Sequence, residues 1–387
     1  MTVTSVRKTF KYQLMPTPAQ AQALETVLSR CRTLYNIALE QRKTWWQRGQ
    51  GKSATYYQQA TELPDLKTAC PDYTEVNAQV LQDALRRLDK TFAAFFRRVQ
   101  HGETPGYPRF QGENRYHSFT YPQYGNGAVL DGSLLSLSKI GRIPIRVHRP
   151  LHGMPKTVTV SKEAGGWYAC FSCAEAPVQP LPFTGKETGI DVGLNVFLMT
   201  ADGVFVENPR HYRKAERDLK KAQRRVSRRK KGSHRRKKAV KLLARKHQKV
   251  QRQRRDFHHK TALALVRQYD VIYLEELRVR NLVRNHRLAK SISDAGWAQF
   301  RTTLEYKAAC AGKQVIAIEP AYTSQNCSGV LADGTHCPER IEKSLSVRTH
   351  ICPQCGLVLD RDENAARNIL RAGQARQGAV AVATAVN

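Results

Sequence analysis

The stretch ETGIDVGLNVFLMTADGVFVEN, residues 187–208, contains two apolar runs separated by a tight-turn signal at Ala201-Asp202-Gly203. Short runs rich in Val, Ile and Phe and bounded by turn residues are typical of β-strands, so the stretch predicts two strands joined by a turn. Further apolar strands are predicted at 271–276 and 314–318. Helices are predicted at 262–266, at 296–311 and from Asp360 onward. This order of elements predicts an α/β domain with a mixed sheet.

The N-terminal half has a different pattern. A strand is predicted at 6–14, followed by a helix beginning with Thr17-Pro18-Ala19-Gln20, which has the residue types of a capping box with proline at the first helical position. A second amphipathic helix is predicted over 75–99. From 115 to 176, short alternating runs predict strands, with a hairpin at Gly165-Gly166. Together these segments predict a small β-barrel with helices inserted between its strands.

The charge of the chain is strongly basic and unevenly distributed. The 387 residues include 64 Lys+Arg and 32 Asp+Glu, a formal net charge of +32. About two thirds of that surplus lies in residues 210–260. A polyanion such as nucleic acid is therefore the expected partner. No run approaches the roughly 18 apolar residues of a membrane span, and charges at the N-terminus argue against a signal peptide. We therefore expect a cytoplasmic protein of the bacterial nucleoid that does not contact membranes.

Within this basic segment, apolar residues recur at helical spacing on both sides of a break at Gly232-Ser233. The spaced positions are Leu219, Ala222, Val226, Val240, Leu243, His247 and Val250. The spacing predicts a helical hairpin with a thin apolar seam and basic outer faces. Such faces bind phosphates without reading bases. The expected nucleic-acid-binding residues are Arg224, Arg225, Arg228, Arg229, Lys230, Lys231, Arg235 and Arg236.

Three acidic residues stand within or at the ends of predicted apolar elements, namely Asp191, Glu275 and Asp362. An unpaired carboxylate in an apolar strand is costly to bury, and bound divalent cations would compensate for that cost. Three converging carboxylates suit two Mg²⁺ ions, which clamp the attacking and leaving oxygens of a phosphodiester displacement. Mn²⁺ would satisfy the same oxygen ligands. The alternative is that these acids are ordinary caps, which fits Asp360 with Glu363 three residues later.

Three segments together resemble a known family. GIDVGL at 189–194, VIYLEEL at 271–277 and DRDENAARNIL at 360–370 resemble, in this order, the three RuvC motifs of the TnpB proteins of insertion sequences. Those proteins are transposon-encoded relatives of the type V CRISPR effectors. KYQLMPTPAQAQAL at 11–24 and the cysteine-containing segment after residue 322 also look like that family. The resemblance therefore covers nearly the whole chain.

The resemblance implies that Asp191, Glu275 and Asp362 are the catalytic carboxylates. Two alternatives stay open at this point. Glu276 could replace Glu275, although adjacent residues on a strand face opposite sides. Asp360 could likewise replace Asp362.

Cys352-Pro353-Gln354-Cys355 has the spacing of one half of a zinc knuckle. In the family that this chain resembles, the other half is usually also C-x2-C, but here Cys327 is followed by no cysteine until Cys337. We interpret this as an enlarged knuckle with an extra loop, in which Cys327, Cys337, Cys352 and Cys355 bind Zn²⁺. His336 is the substitute ligand if Cys337 cannot reach. The alternative is a degraded site that leaves ordinary thiols.

The other five cysteines are not expected to bind metal. Cys170 and Cys173 also have C-x2-C spacing, but they lie in a predicted strand, where residues i and i+3 face opposite sides. Cys31, Cys70 and Cys310 lie in helical or loop contexts and are predicted to be packing residues. Disulfides are not expected in a reducing compartment.

The implied architecture is an α/β multidomain protein. It comprises an RNase H-like (RuvC) nuclease domain with a zinc-ribbon insertion, and an N-terminal β-barrel wedge with an inserted helical recognition bundle. The expected bounds are 1–15 and 112–180 for the wedge, 16–111 for the recognition bundle, 183–322 and 358–372 for the nuclease, 323–357 for the zinc ribbon and 373–387 for a flexible tail.

The implied function is that of an RNA-guided DNA endonuclease of a transposon. A guide RNA from the transposon end would select double-stranded DNA next to a short motif, and hydrolysis would depend on metal. A guided repressor without cleavage is a rival that does not need three carboxylates. A strand-joining transposase is a second rival, but the sequence shows no separate helix-turn-helix module. A guide-independent resolvase is a weaker possibility. A monomer or weak dimer is expected.

Overall fold

The computed structural model describes residues 5–48, 53–113, 115–319, 322–344 and 346–385. The described chain forms two compact units, one of residues 5–177 and the other from residue 178 onward. None of the helices in these ranges is both long and apolar enough to cross a membrane.

The first unit contains four α-helices and seven strands. In chain order they are β1 Ser5–Leu14, α1 Pro18–Arg48, α2 Tyr56–Thr61, α3 Leu63–Ala69, a 3₁₀ turn Pro71–Glu75, α4 Ala78–Gln100, β2 Ser118–Tyr121, β3 Ala128–Asp131, β4 Leu134–Leu137, β5 Gly141–Arg146, β6 Met154–Glu163 and β7 Gly166–Pro177. The predicted capping box is present at the start of α1. The Thr17 backbone donates to the Gln20 side chain at 3.0 Å, and the Gln20 backbone donates to the Thr17 hydroxyl at 3.3 Å.

The seven strands form an antiparallel sheet in the order β2-β6-β7-β1-β5-β4-β3. The N-terminal strand β1 joins this sheet, as the sequence predicted, and it lies in the middle, between β7 and β5. A hairpin joins β6 to β7 at Gly166, whose φ of 126° favours glycine. Among the described residues, the outer strands β2 and β3 do not pair with each other. The strands predicted to form a barrel therefore form a sheet, and no hydrogen bonds between β2 and β3 close this sheet into a barrel.

The helices of the first unit pack directly on this sheet. Tyr12 and Phe171 of the sheet share one hydrophobic cluster with Leu24 of α1 and Leu85 of α4, and all four are almost completely buried. The sequence analysis assigned the helices and the strands to separate domains. The structure shows that they stabilise each other through a common core.

The second unit is built of seven strands and six α-helices. In chain order they are β8 Glu187–Val192, β9 Val196–Thr200, β10 Phe205–Glu207, α5 His211–Ser227, α6 His234–Gln268, β11 Val271–Glu275, α7 Val279–Leu282, α8 Ala289–Ala295, α9 Trp297–Ala311, β12 Gln314–Ile318, β13 Thr349–Ile351, β14 Val358–Asp360 and α10 Arg361–Ala385. The predicted helix at 262–266 is the last part of the 35-residue helix α6.

Five of these strands form the mixed sheet that the sequence predicted, in the order β10-β9-β8-β11-β12. The pairs β8–β11 and β11–β12 are parallel, and the others are antiparallel. Helix α10 approaches β8 so closely that a Cβ atom on Gly189 would collide with the backbone of Ala366 and Leu370. This close approach explains why the segment GIDVGL begins with a glycine, which has no Cβ atom.

The prediction of a flexible tail from residue 373 is wrong for residues 373–377. Helix α10 continues through them, and Gly373 packs against the ring of Tyr273. The Tyr273 hydroxyl donates to the Gln377 side chain at 2.5 Å, and Arg376 donates to the Ala317 carbonyl at 2.6 Å. These contacts join residues far apart in the sequence, so the local alanine-rich pattern could not predict them. Residues 386 and 387 lie outside the described residues.

The stability of the second unit should depend on pH through Asp270, at the start of β11. Burial opposes ionisation of this carboxylate, but its ion pair with Lys313 and the backbone N–H groups of Thr184 and Gly185, at 2.9 and 2.6 Å, lower its pKa below the usual value. A carboxylate with a depressed folded-state pKa stabilises the fold above its unfolded pKa, and this contribution disappears as pH falls. We expect the free energy of unfolding to decrease below about pH 5.

Asp270→Asn should remove this part of the pH dependence and cost about 2 kcal/mol at pH 7, because Lys313 loses its charged partner. Chemical denaturation between pH 3 and 7 measures both effects. Asp65→Asn, at an exposed position of α3, is the control and should change neither. An unchanged pH profile for the Asp270 variant would refute the assignment.

Candidate functional site

The structure brings Asp191, Glu275 and Asp362 together in one cleft of about 670 Å³. Ile190 of β8 pairs with Leu274 of the neighbouring parallel strand β11. Asp191 directly follows Ile190, and Glu275 directly follows Leu274. Their side chains therefore emerge on the same face at the carboxyl ends of the two strands. Asp362 reaches the same cleft from the first turn of α10. We call this site the carboxylate cleft.

The carboxylates are electrostatically strained by their surroundings. Burial raises the pKa of Asp191 to about 8, and the negative charges of Glu275 and Asp362 act in the same direction, while Arg348 partly offsets them. Burial also raises the pKa of Glu275, although a hydrogen bond from Thr323 lowers it in part. Carboxylates that resist ionisation together are stabilised by a bound cation, so the donor set fits a divalent metal.

The geometry distinguishes the two alternatives that the sequence left open. Glu276 points away from the cleft, and its side chain is 65% exposed beside Arg301 at 3.7 Å. Asp360 accepts a hydrogen bond from the Asp362 backbone at 2.7 Å, so it caps α10. The expected capping partner Glu363 bonds to Arg367 instead, at 2.7 Å. Glu275 and Asp362 are therefore the acids that line the cleft.

Sequence reasoning missed two side chains that contact the carboxylates. Arg348 forms an ion pair with Asp362, and the Thr323 hydroxyl donates to Glu275. Both residues lie in the segment between β12 and α10 that contains the four cysteines. Arg348 is 14 residues from Asp362 and Thr323 is 48 residues from Glu275. No local pattern could have predicted these pairs.

Two buried asparagines of α10 hold this cysteine-containing segment in place. Asn364 donates to the Asn326 carbonyl at 2.8 Å and accepts from the Ser328 backbone at 3.0 Å. Asn368, one turn later, donates to the carbonyls of Thr323 and Asn326 at 2.8 and 2.7 Å. A polar pair at i and i+4 on an otherwise buried helix face was the available sequence signal.

The structure brings the four predicted cysteines together. Their sulfur atoms all lie within 4.8 Å of one another, and they belong to Cys327, Cys337, Cys352 and Cys355. The Cys327–Cys355 and Cys337–Cys352 sulfur distances are 3.5 and 3.6 Å. Two thiolates bound tetrahedrally to one zinc ion at about 2.3 Å would be roughly 3.8 Å apart. The cysteine cluster therefore fits a Cys₄ zinc site, and His336 is exposed and outside it.

The backbone around the cysteine cluster has the form that the enlarged knuckle requires. Bridges between Val330 and His336 and between Asn326 and Arg340 shape the predicted extra loop into a hairpin. The second half of the knuckle lies between β13 and β14. Although burial acts in the opposite direction, the backbone N–H groups of Cys355 and Gln354 lower the pKa of Cys352 to about 7, which favours the metal-binding thiolate.

The prediction of a packing role for three other cysteines holds for Cys31 but is wrong for Cys70, which is exposed, and Cys310 is only partly buried. Cys170 and Cys173 lie on β7, where Cys173 is buried and Cys170 is partly exposed. Cys31 is buried on α1. Neither Cys170 nor Cys173 belongs to a group of potential metal ligands among the residues that the structure describes.

Helices α5 and α6 form the predicted basic hairpin, with its turn at Gly232-Ser233. Leu219, Ala222, Val226 and Val250 are buried as expected. On α6, however, Ala239 is buried in place of the predicted Val240, which is 45% exposed. His247 is exposed as well. The sequence did not show which of the adjacent residues Ala239 and Val240 faces α5.

All eight basic residues expected to bind nucleic acid are exposed or half-buried on this hairpin. They are Arg224, Arg225, Arg228, Arg229, Lys230, Lys231, Arg235 and Arg236. The eighth, Arg236, has a structural role that the sequence did not reveal. Its guanidinium donates to the carbonyls of Val226 and Arg229, at 2.9 and 3.0 Å, and so caps the end of α5.

These different environments predict different effects for two adjacent substitutions. Arg236→Ala should lower the free energy of unfolding by about 1–2 kcal/mol, because two charge-assisted hydrogen bonds are lost. Arg235→Ala should change stability by less than about 0.5 kcal/mol. It should reduce the salt dependence of nucleic-acid binding by about one phosphate contact. Thermal denaturation and nucleic-acid titrations at several salt concentrations measure the two effects. Equal stability of the two variants would contradict the capping role.

Asp294 of α8 anchors the other end of the hairpin. Its buried carboxylate accepts hydrogen bonds from the backbones of Tyr212 and Arg213, at 2.8 and 3.0 Å, in the first turn of α5. A negative charge at a helix N-terminus is favourable. These two bonds tie the start of the hairpin to α8.

Three family models match parts of the chain. A model described as "Probable transposase" (OrfB_IS605) matches residues 153–286, and a Cas12f1-like TNB domain matches 297–369. A model described as a helix-turn-helix domain matches 1–51. Residues 5–48 nevertheless contain one strand and the single 31-residue helix α1, so the structure does not show a helix-turn-helix there.

Relatives match over nearly the full length of the chain. A protein of Streptomyces pristinaespiralis named "Putative RNA-guided DNA endonuclease" is 38% identical over 96% of this chain and 90% of its own. The "Putative RNA-guided DNA endonuclease InsQ" of Escherichia coli is 31% identical over 95% of this chain and 92% of its own. The Cas12f1 chain of a Cas12f1–sgRNA–target DNA complex shares the fold with a TM-score of 0.55, at 13% identity over 91% of this chain and 83% of that chain. The order of the motifs, the geometry of the carboxylate cleft and these matches agree, and the chain belongs to the TnpB family.

Proposed function

We propose that this protein is a transposon-encoded, RNA-guided DNA endonuclease that cleaves guide-matched DNA next to a short motif. The observation that carries the proposal is the convergence of Asp191, Glu275 and Asp362 in one cleft. The proposal is supported by relatives of that name that match 90% or more of their length. It extends to the roles of the individual residues described below.

Asp191, Glu275 and Asp362 would hold Mg²⁺ or Mn²⁺, since their hard oxygen donors and raised pKa values fit a divalent cation. When bound, such ions activate water and stabilise the charge that develops in phosphodiester hydrolysis. Thr323 fixes the orientation of the Glu275 carboxylate through its hydroxyl. Arg348 places a positive charge on the wall of the cleft, beside Asp362, where it can orient a phosphate of the DNA strand.

The other parts of the chain have proposed roles in binding. Cys327, Cys337, Cys352 and Cys355 would hold a structural Zn²⁺ that shapes the segment carrying Arg348. The basic hairpin would bind phosphates of the guide RNA or of the guide–target duplex. The segments 1–15 and 112–180 would act as the wedge, and 16–111 would be the recognition part. Residues 183–322 and 358–372 would form the RNase H-like nuclease.

The test is cleavage of a plasmid library that carries one guide-matched target beside randomised flanking sequence. The protein is co-expressed with RNA from its own transposon end. Guide-dependent cutting in Mg²⁺, confined to a few flanks, is expected and would reveal the adjacent motif. Guide-dependent binding without cutting would indicate a repressor. Cutting that ignores the guide would indicate a resolvase and overturn RNA guidance.

A further inference from the structure

Five exposed aromatic side chains lie near the ends of α1 and α4 and in the loop after α4. They are Trp45, Trp46, Phe96, Tyr107 and Phe110, each between 41% and 54% exposed. We call this group the aromatic platform. The carboxylate cleft and the cysteine cluster include none of these residues.

Contacts within the first unit show that the two helices end on the same side. Near the middle of the helices, Tyr116 packs against both Tyr35 of α1 and Arg87 of α4, at 6.1 and 5.7 Å. One to two turns later, Arg42 of α1 lies 5.1 Å from the Phe92 ring of α4. The helices therefore run in the same direction. Their aromatic ends follow this last contact.

The loop after α4 joins the two helix ends into one surface. Tyr107 packs edge-on against Phe95 at 5.5 Å, and Phe95 packs in the same way against Phe96 at 5.3 Å. Phe110 lies 5.3 Å from the Lys43 ammonium of α1. These contacts hold the rings of Phe96, Tyr107 and Phe110 but leave nearly half of each side chain exposed. A contiguous exposed apolar surface is a common sign of a binding site.

The charges around the platform indicate which kind of partner it binds. Lys43, Arg97, Arg98 and Arg109 lie beside the rings in sequence and are partly or fully exposed. Among the described residues, two acids form ion pairs with these cations, Glu40 with Lys43 at 3.7 Å and Glu103 with Arg98 at 3.9 Å. Exposed rings flanked by cations are the surface that proteins use to stack unpaired bases and neutralise the phosphates between them.

Other occupants agree less well with these features. A double helix keeps its bases stacked inside, so it would use the cations but not the ring faces. A second copy of the chain would bring a like-charged surface against this one, whereas the centres of protein interfaces are depleted in charge.

We propose that the aromatic platform stacks unpaired nucleotides of the guide RNA. The identity of the RNA rests on the proposed function, but stacking is a property of the platform itself. Each ring that carries a stacked base should contribute about tenfold or more to affinity. That contribution should depend little on salt, in contrast to the contribution of the basic hairpin.

The experiment compares the full-length protein with Phe96→Ala, Tyr107→Ala, the double variant and the conservative Tyr107→Phe. Binding of a short single-stranded RNA, of single-stranded DNA of the same sequence and of the matched RNA duplex is measured by fluorescence anisotropy. Tyr57→Ala, at a 79% exposed aromatic residue of α2 that does not belong to the platform, is the matched control. Circular dichroism and thermal denaturation confirm that each variant is folded.

We expect each alanine variant to bind single-stranded RNA about tenfold more weakly, the double variant to bind still more weakly, and Tyr107→Phe and Tyr57→Ala to bind normally. Duplex affinity should not change. Unchanged RNA affinity in the double variant, equal loss for duplex and single strand, or loss for single-stranded DNA alone would overturn the proposal. So would a change in oligomeric state by sedimentation, since the platform would then be a contact between copies.

The outcome is separable from that of the cleavage assay. A protein that loses single-stranded RNA binding in these variants but cuts no guided target would sustain the platform and refute the nuclease. If the protein cuts guided targets but all variants bind RNA equally well, the nuclease is supported and the role of the platform is refuted.

Discussion

Asp191→Asn is expected to reduce guided DNA cleavage by at least about 10³-fold, because metal-ion stabilisation of the transition state is worth several kcal/mol and each 1.4 kcal/mol is a factor of ten. RNA binding should remain, since Asp191 lies in the carboxylate cleft and not on the basic hairpin. Single-turnover cleavage and RNA titration measure the two properties. Because burial raises the pKa of Asp191 to about 8, the neutral amide should leave the unfolding free energy of the metal-free protein unchanged or higher.

Glu276→Gln is the matched control for this prediction. It removes one negative charge from the residue after Glu275, but its side chain is 65% exposed and outside the cleft. Cleavage by this variant should stay within about twofold of the wild-type rate. An Asp191→Asn protein that kept a tenth or more of the wild-type rate would show that the cleft is not the site of hydrolysis.

Cys352→Ser is expected to reduce bound zinc from about one ion per chain to a small fraction, because Cys352 is one of the four sulfur ligands in the cluster. Structural zinc sites commonly contribute about 10 kcal/mol or more of apparent binding free energy, which the fold of the surrounding segment requires. Residues 323–357 should therefore become sensitive to limited proteolysis. Elemental analysis measures the zinc, and mass spectrometry locates the cleavage sites.

Cleavage of DNA should fall together with zinc content, because the same segment holds Thr323 against Glu275 and Arg348 against Asp362. Cys70→Ser, at an exposed cysteine between α3 and the 3₁₀ turn, is the control and should keep both zinc and activity. Full zinc content in the Cys352 variant would show that the cluster is not the zinc site.

Much of the fold could be predicted because its signals are local. The strand pair at 187–208, the capping box at Thr17 and the break at Gly232-Ser233 each depend on residues close together in sequence, and the structure contains all three. Whether the first sheet closes into a barrel was not predictable in this way. Pairing between two distant short strands depends on the packing of the whole unit and not on either strand alone.

The candidate site was predictable where the chemistry itself leaves a pattern. Carboxylates inside apolar strands and cysteines at knuckle spacing are conspicuous, and the structure gathers both sets. Arg348, Thr323 and Arg236 were missed because basic and hydroxyl residues are common, and only the tertiary structure shows which of them has a specific partner. The prediction that Val240 is buried between α5 and α6 was wrong for a related reason. Ala239 and Val240 fit the helical periodicity almost equally well, so the sequence could not show which of them is buried.

The buried asparagines of α10 have a consequence for how the two metal sites depend on each other. Asn368 holds the backbone of Thr323, whose hydroxyl in turn orients Glu275, while Asn364 holds Ser328 beside Cys327. Occupancy of one proposed metal site should therefore alter the free energy of the conformation that the other site needs. Thermodynamic reciprocity requires both ligands to change each other's affinity by the same factor. Millimolar Mg²⁺ should thus raise the affinity for zinc in competition with a chelator selective for zinc, and this equilibrium would report the assembly of the carboxylate cleft without any DNA present.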